Sequence, residues 1–256
     1  QVGNELLRQN AGKKEHGLEE MPMDFCVAET QGSIGYFIEL SMLNELRNAG
    51  MERNVITILT PVIVDAEDKA FQNPTKPVGP YYKKEEVEKL SGAGAVYKED
   101  AKGNGWRKVV ASPVPQEILH SELVKQQAEN GTIVVTVGGG GIPVTQQNNT
   151  LKGVEAVIDK DLASALLGNK ISADELYILT DVPNAYINFR QENEKALGKI
   201  TLAEAKRYLD EGHFKDGSMA PKIKAAIKFV ENGGKKCVIT CVGNLKDSEA
   251  GTQIIA

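Results

Sequence analysis

Residues 133–144 decide the fold, because they read IVVTVGGGGIPV and so join an apolar run to four consecutive glycines. The five residues before Gly138 are all β-branched, a composition typical of a buried strand. In open α/β sheets, ligands bind at the carboxyl ends of strands. Consecutive glycines at such an end let backbone N–H groups surround an anion, because no Cβ blocks the approach. The stretch therefore predicts an anion-binding loop, with a flexible turn as the alternative.

Apolar runs alternate with helical patterns on both sides of this stretch, which is typical of an α/β fold with a mainly parallel sheet. Strands rich in Val, Ile and Thr are predicted at 55–60, 132–137, 176–180 and 236–241. Helices are predicted at 1–10, 29–49, 116–129, 161–168, 201–212 and 221–232. The apolar face expected for the second helix comprises Ile34, Ile38, Leu43 and Leu46. Thr201 and Glu204 fit a capping box at the start of the fifth.

The segment 61–115 departs from this alternation and is predicted to be an inserted, protruding subdomain within a single domain over 1–256. It is rich in proline, and a charged helix is predicted at 83–90. A hairpin turning at Gly103-Asn104-Gly105 joins the predicted strands 96–98 and 106–110. The proline-rich part presents Lys76 on a stiff loop, for which a plain surface turn is the alternative.

Composition and charge exclude several classes of partner. The 256 residues carry a formal net charge of -5, whereas nucleic acids and anionic membranes select for clustered Lys and Arg. No apolar stretch approaches the ~20 residues that span a bilayer, and residues 1–4 do not resemble a signal peptide, so we expect a cytoplasmic protein without a membrane partner. The three cysteines form no CxxC pair, which predicts reduced thiols. The three histidines lack ligand spacing, so we expect no metal site built from protein ligands.

Two lysines stand at predicted helix starts, where a cation opposes the helix dipole unless an anion lies between them. Lys160 precedes Asp161, the predicted N-cap, and Lys222 lies in the first turn of the helix that Pro221 begins. A polyphosphate would resolve the conflict, because lysine neutralises the oxygens of a transferring phosphoryl group. The alternatives are a solvated Lys160 and a purely capping role for Asp161.

Two further segments lie where a nucleotide would bind in such a fold. Asp181 and Val182 follow a predicted strand, although Asp181 could be only a turn residue. Met219 precedes the helix at Pro221 and could contact an adenine ring, although filling core space is the alternative. Both segments are therefore candidates for a nucleotide site.

Taken together, these motifs resemble the carbamate kinases, a branch of the amino acid kinase family. The matching segments span almost the whole chain in family order: 1–4, 31–36, 73–77, 105–107 with 112–113, 138–144, 157–161, 180–182, 217–222 and 250–252. The resemblance implies a three-layer αβα sandwich with a mainly parallel central sheet and a small protruding subdomain. It also implies a homodimer, for which the helix at 29–49 is the candidate contact.

The resemblance further implies reversible phosphoryl transfer between carbamoyl phosphate and ADP, giving ATP and carbamate, with Mg²⁺ on the nucleotide. In fermentative arginine breakdown, the arginine deiminase pathway, this reaction makes ATP. The resemblance implies four catalytic residues: Lys160 and Lys222 would stabilise the transferring phosphoryl group, Asp161 would orient these two lysines, and Lys76 would reach in from the protruding subdomain. The substrate oxygens would be held by Gly139, Gly140 and Gly141, and the nucleotide would be bordered by Asp181, Val182, Tyr186, Met219 and Ala220.

No general base is required for this reaction, because carbamate is already an anionic oxygen nucleophile. Closure of the 61–115 segment as a lid would exclude water, which otherwise competes for the phosphoryl group.

The sequence departs from the family at three places, of which one is a poor match over residues 242–246. Family members begin with a β-α-β unit before the segment matched by residues 1–4, and we expect that unit to be missing here. If nothing precedes Gln1, the anion site lacks two of its glycine loops and little activity is expected; if residues do precede it, the enzyme interpretation holds intact. Ala220 stands where the family usually has glycine. The alternatives are another phosphotransferase of the amino acid kinase family and a non-catalytic binding module.

Overall fold

A computed structural model gives the structure of residues 2–90, 95–100, 103–214 and 219–256. The chain divides into two compact units, Gln1–Lys160 and Asp161–Ala256, and each has apolar clusters of its own. None of the helices in these ranges has the length and apolar content that a membrane crossing requires. The single domain over 1–256 and the lid role of 61–115 stay predictions.

The first unit combines helices with short strands. Its helices are α1 (Val2–His16), α2 (Met23–Asn48), α3 (Lys84–Leu90) and α4 (Ser121–Glu129). Its strands are β1 (Val55–Thr57), β2 (Pro61–Val64), β3 (Lys76–Tyr82), β4 (Val96–Glu99), β5 (Trp106–Val110), β6 (Pro115–Ile118), β7 (Ile133–Val135), β8 (Ile142–Gln147) and β9 (Thr150–Gly153).

Three sheets organise the first unit. β1 and β7 pair in parallel, with Val55 opposite Ile133. A four-stranded sheet has the order β6-β2-β8-β9, in which β2 and β8 are parallel and the other pairs antiparallel. A three-stranded antiparallel sheet has the order β3-β5-β4. The glycine loop lies between β7 and β8, so it connects the first sheet to the second.

The second unit is built on one four-stranded sheet. Its helices are α5 (Lys160–Lys170), which begins at the last residue of the first unit, α6 (Leu202–Asp210) and α7 (Met219–Glu231). Its strands are β10 (Glu175–Leu179), β11 (Tyr186–Ile187), β12 (Lys195–Ala196), β13 (Lys199–Thr201), β14 (Lys236–Thr240) and β15 (Thr252–Ile255). The sheet order is β10-β14-β15-β13, with β10 parallel to β14. Ile223 and Phe229 of α7 pack with Ile239 and Ile254 of the sheet in one buried cluster.

Most of the predicted elements are confirmed. The four predicted strands appear as β1, β7, β10 and β14, and the predicted hairpin is the antiparallel pair of β4 and β5. At the start of α6 the capping box is present: the Thr201 hydroxyl accepts a bond from the Glu204 N–H, and the Glu204 carboxylate accepts one from the Thr201 N–H. Parallel pairs and intervening helices confirm the α/β class.

The predicted start of the second helix was wrong, and so was half of its predicted apolar face, since only Leu43 and Leu46 are half-buried. α2 begins at Met23, six residues before the predicted start. The start was missed because the N-cap residue is Pro22, whose side chain makes no capping hydrogen bond and so gives no sequence signal. Ile34 and Ile38 are exposed, whereas Val27 and Gln31 are among the buried residues. The buried face is therefore partly polar, which an apolar periodicity cannot detect.

Two other helix starts were wrong as well. The predicted helix 116–129 is interrupted, since Pro115–Ile118 pairs with β2 as strand β6 and α4 begins only at Ser121. His120 before it has a left-handed conformation, with φ 66°. α7 begins at Met219, so Pro221 is its third residue and still lies in the first turn, where its missing N–H costs no bond. Tertiary pairing and local backbone conformation decided these boundaries.

Candidate active site

The glycine loop forms a tight turn with two different halves. Gly138–Gly140 form a 3-10 turn, in which the N–H of Gly140 bonds to the Val137 carbonyl and the N–H of Gly141 to the Gly138 carbonyl. Gly138 and Gly139 are exposed, whereas Gly140 and Gly141 are buried. The N–H groups of Gly138 and Gly139 are left outside these two internal bonds, so they are the ones placed to meet a ligand.

Close packing explains why the buried half must be glycine. A Cβ on Gly140 would lie 2.3 Å from the carbonyl oxygen of Ile158, and one on Gly141 would lie 2.1 Å from a methyl group of Val62. Both residues also have positive φ, 101° and 93°. Gly139 has φ 67° and open space around its missing Cβ. Of the three glycines predicted to hold substrate oxygens, Gly139 is thus available to a ligand, while Gly140 and Gly141 are required by the fold.

Lys76 lies beside the same segment of the first unit. The stiff loop predicted to carry it was wrong, because Lys76 begins strand β3 and pairs with Val110 of β5. Its Nζ donates a hydrogen bond to Asp159 Oδ2 at 2.9 Å, and the two side chains are 34% and 15% exposed. Asp159 directly follows Ile158, whose carbonyl packs on Gly140. The structure therefore brings Lys76 to the glycine loop through Asp159, a residue that the sequence interpretation missed. The one sequence feature that could have identified Asp159 is its position next to Lys160 and Asp161, two predicted site residues.

A cavity of about 480 Å³ opens in front of the exposed glycines. Its lining includes Gly138, Gly139, Gln31, Pro77 and Arg107. The Arg107 guanidinium donates two hydrogen bonds to the Gly79 carbonyl, at 3.0 and 2.8 Å, and so holds the strand that carries Lys76. The cavity thus adjoins the residues expected to contact an anion.

In the second unit, Asp161 and Lys222 form a buried ion pair. The N-cap prediction for Asp161 was wrong, because α5 begins at Lys160 and makes Asp161 its second residue. The Asp161 carboxylate instead accepts a 2.8 Å hydrogen bond from Lys222 Nζ in the first turn of α7. The side chains are only 14% and 8% exposed for Lys222 and Asp161. Two helices therefore fix this lysine in a water-poor environment, while Lys160 is exposed at the start of α5.

The interior near this ion pair is buried from solvent. Burial raises the pKa of the Cys237 thiol to about 12, and the negative charge of Asp161 raises it in the same direction. Cys237 lies on β14 and has no solvent exposure. Since a low effective dielectric strengthens charge interactions, Lys222 acts with more electrostatic force here than it would on the surface.

The predicted nucleotide residues lie at the edge of the second unit's sheet or in its core. Asp181 is exposed just after β10 and accepts a hydrogen bond from the Thr180 hydroxyl. Val182 and Tyr186 are half-buried, and the Tyr186 ring lies 6.0 Å from that of Phe189. Met219 packs against the core cluster and Ala220 belongs to it, as the core alternative expected. Gly217 and Ser218 of the same motif lie outside the described residues.

Comparison with known proteins places this geometry in a family. Residues 99–241, more than half of the chain, match the sequence profile of the amino acid kinase family. The carbamate kinase of Thermococcus kodakarensis is 49% identical over 259 residues, covering 100% of this chain and 82% of the relative. Carbamate kinase 1 of Enterococcus faecium is also 49% identical, covering 100% of this chain and 81% of its own length.

A solved structure shows the same fold. Carbamate kinase from Giardia lamblia bound to AMP-PNP superimposes with a TM-score of 0.91 at 42% identity. The match covers 100% of this chain and 81% of the Giardia chain. The sequence relatives and this solved structure are thus all carbamate kinases.

Proposed function

This chain belongs to the carbamate kinases of the amino acid kinase family, and on that premise we propose that its buried lysine drives phosphoryl transfer from carbamoyl phosphate to ADP. Membership of the family makes the chain a phosphotransferase. The observation that carries the proposed mechanism is the ion pair of Lys222 and Asp161, two residues 61 positions apart that meet at the starts of α7 and α5.

The chemistry of this pair suits a phosphoryl group in transfer. The reaction needs positioning and charge neutralisation more than covalent chemistry. Asp161 holds the ammonium of Lys222 in one place before substrate arrives, so little reorganisation is needed during the reaction. Lys222 neutralises charge on the transferred phosphoryl group, and Lys160, next to Asp161 in α5, adds a second positive charge.

The glycine loop and Lys76 serve the carbamoyl phosphate end of the reaction. Gly139 is exposed and can bring its N–H to a substrate oxygen, with Gly140 and Gly141 maintaining the turn. Lys76 is more exposed than Lys222 and belongs to the 61–115 segment, so closure of that segment would bring it to the substrate and exclude water.

The nucleotide end uses the carboxyl side of β10. Asp181, Val182 and Tyr186 border the adenine nucleotide, and Met219 and Ala220 support the start of α7 from the core. The Giardia relative binds AMP-PNP, which supports an adenine nucleotide as the partner.

Mg²⁺ enters with the nucleotide as part of the substrate. Mg²⁺ usually keeps several waters and is bound through phosphates with one or two carboxylates. The Asp161 carboxylate is already paired with Lys222, which fits a positioning role better than a metal-binding one. Within the described ranges, no three His, Cys, Asp or Glu side chains cluster at metal-binding distance. The cytoplasmic location and the arginine deiminase pathway stay predictions from the sequence.

A homodimer formed through α2 is the proposed assembly. Tyr36 and Phe37 of this helix are 65% and 67% exposed, and Phe25 and Leu40 of the same helix are exposed too. Exposed apolar groups of this kind mark interaction surfaces. Phe37→Glu should shift sedimentation from dimer to monomer, whereas Leu123→Glu, an equally apolar exposed site on α4, should not. A wild-type monomer would refute the assembly.

The reaction is tested by ATP formation from ADP and a phosphoryl donor. Wild-type protein should make ATP from carbamoyl phosphate, and acetylglutamyl phosphate or a nucleoside diphosphate donor should neither replace nor compete with it. Lys160→Ala should lose ~100-fold or more in kcat, because an exposed cation at the transferred group is removed. ATP formation from acetylglutamyl phosphate instead would favour another acceptor within the family. Failure of the wild-type protein to make ATP with every donor would favour a binding module.

A further inference from the structure

A buried polar network lies beneath the glycine loop and joins Gln31 of α2 to Thr60, the residue before β2. Gln31 Oε1 accepts a hydrogen bond from the Thr60 N–H at 2.9 Å, and Gln31 Nε2 donates one to the Gly138 carbonyl at 2.8 Å. Both side chains are buried, Thr60 completely. One amide group therefore ties the first glycine of the loop to the strand beside it. These contacts form the Gln31–Thr60 network.

Thr60 holds the chain on both sides of the glycine loop. Its hydroxyl accepts the Val137 N–H at 3.1 Å, lies 2.8 Å from the Ile58 carbonyl and lies 2.7 Å from the Thr136 hydroxyl. A hydroxyl has one proton and two lone pairs, so these three partners use it fully. The Thr60 carbonyl accepts the Ile142 N–H at 2.9 Å. Entry and exit of the loop are thus bonded to one residue.

The loop entry has a backbone conformation that needs such support. Val137 has φ 54°, in the left-handed region, although a β-branched residue rarely adopts it. Strained backbone of this kind persists only where its surroundings determine it. The bond from the Val137 N–H to Thr60 fixes the Thr136–Val137 peptide unit, and the bond from Gln31 to the Gly138 carbonyl fixes the Gly138–Gly139 peptide unit, which carries the Gly139 N–H.

We infer that Gln31 and Thr60 are positioning residues for phosphoryl transfer. They hold Val137 in its left-handed conformation and so fix the direction of the Gly138 and Gly139 N–H groups. Neither side chain has to touch the substrate. Donors fixed before the reaction stabilise developing charge without reorganisation. The inference rests on the proposed function, since it takes the loop to hold substrate oxygens.

Thr60→Val tests the network, because it removes the hydroxyl and preserves the shape. We expect kcat for ATP formation to fall ~30-fold and the KM for ADP to stay within about twofold, since the loop acts on the transferred group. Thr60→Ser keeps the hydroxyl and should stay within about threefold of wild type in kcat. The matched control is Thr145→Val, which removes a buried hydroxyl with one 3.5 Å bond in the β8–β9 hairpin.

Gln31→Glu is an independent variant of the same network. It keeps the acceptor for the Thr60 N–H but replaces the amide donor to the Gly138 carbonyl with a second acceptor oxygen, so that bond is lost. A kcat loss comparable to that of Thr60→Val is expected. Amide hydrogen exchange at Val137, whose acceptor is the Thr60 hydroxyl, gives a readout without catalysis: it should be ~10-fold faster in Thr60→Val and unchanged in Thr145→Val.

Three outcomes overturn the inference: folded Thr60→Val with wild-type kcat, equal kcat losses in Thr60→Val and Thr60→Ser, or unchanged exchange at Val137 in Thr60→Val. A wild-type protein that makes no ATP refutes the proposed function instead. In that case, amide hydrogen exchange in Thr60→Val still tests whether the Gln31–Thr60 network holds the glycine loop.

Discussion

Two lysine–aspartate ion pairs of nearly equal length lie in different environments. Lys222 and Asp161 are 2.8 Å apart in the second unit, and Lys76 and Asp159 are 2.9 Å apart in the first. The Lys222 side chain is 14% exposed, whereas that of Lys76 is 34% exposed. Water weakens charge interactions, and a buried charge that loses its partner is costly. Although the two pairs have nearly equal lengths, breaking the buried pair should therefore cost more free energy of unfolding than breaking the more exposed pair.

The helices and strands that carry the two ion pairs also suggest that the Lys222 pair is held more rigidly than the Lys76 pair. Asp161 and Lys222 lie in the first turns of two packed helices, α5 and α7. Lys76 is the first residue of β3, and Asp159 lies just before α5, outside any helix or strand. Side chains on packed helices are held more rigidly than those on connecting segments. The Lys222 pair thus suits a fixed charge, and the Lys76 pair suits one that changes partner when substrate binds.

The largest expected effect separates the pairs by stability. Asp161→Ala should lower the free energy of unfolding by ~3–5 kcal/mol, because it leaves Lys222 buried without a partner. Asp159→Ala should cost less than ~1 kcal/mol, because Lys76 can turn to water. Urea unfolding followed by far-UV circular dichroism measures both.

Asp174→Ala is the control for this measurement, since it breaks a fully exposed pair with Lys235 and should leave the unfolding midpoint unchanged. Equal losses in Asp161→Ala and Asp159→Ala would mean that burial does not distinguish the two pairs.

An intermediate effect separates the two lysines by salt. Lys76→Ala should lower kcat/KM for carbamoyl phosphate ~30-fold at low ionic strength and only ~5-fold in 0.5 M KCl, because salt screens partly exposed charges. The loss in Lys222→Ala should stay nearly constant, since its environment excludes ions. Initial rates across a KCl series provide the test, and a salt-independent Lys76→Ala loss would contradict the difference in exposure.

The smallest expected effect concerns the dry interior near Asp161. With a folded pKa of about 12 against an ordinary 9.0, Cys237 keeps its proton in the folded state while the unfolded chain releases it. The unfolded state therefore binds fewer protons, and stability should fall above pH 9 by up to ~1.4 kcal/mol per pH unit until about pH 12.

Comparing urea unfolding of wild type and Cys237→Ala between pH 8 and 10.5 isolates this slope from other titrations. The variant should lose less stability per pH unit. Parallel slopes would indicate that the thiol is not in a dry environment.

Sequence reasoning identified what local pattern encodes. Five β-branched residues followed by four glycines predicted β7 and its loop, and Thr201 with Glu204 predicted the capping box, because these signals lie within a few residues of each other. The resemblance implied that Asp161 orients Lys222, and the ion pair agrees with it. The residue pattern alone did not predict this pairing, since it depends on how α5 packs with α7. The start of α2 was missed because Pro22 provides no capping side chain.

Thr60 was missed for a related reason. A threonine at the end of an apolar run is ordinary in a strand, and nothing local distinguishes it. Its role appears only when β1, α2 and the glycine loop are in place, because the partner of its hydroxyl on Val137 lies 77 positions away and that of its carbonyl, Ile142, lies 82 positions away. Asp159 likewise gained meaning only from its contact with Lys76, 83 positions away.

The central claim is that a lysine held in a buried ion pair drives the transfer, and single-turnover ATP formation tests it most directly. Lys222→Ala and Lys235→Ala each remove one ammonium group from an ion pair, the first buried and the second exposed. With folded protein, we predict a ~1,000-fold loss of the chemical rate for Lys222→Ala and a wild-type rate for Lys235→Ala. A Lys222→Ala rate within tenfold of wild type would contradict the account.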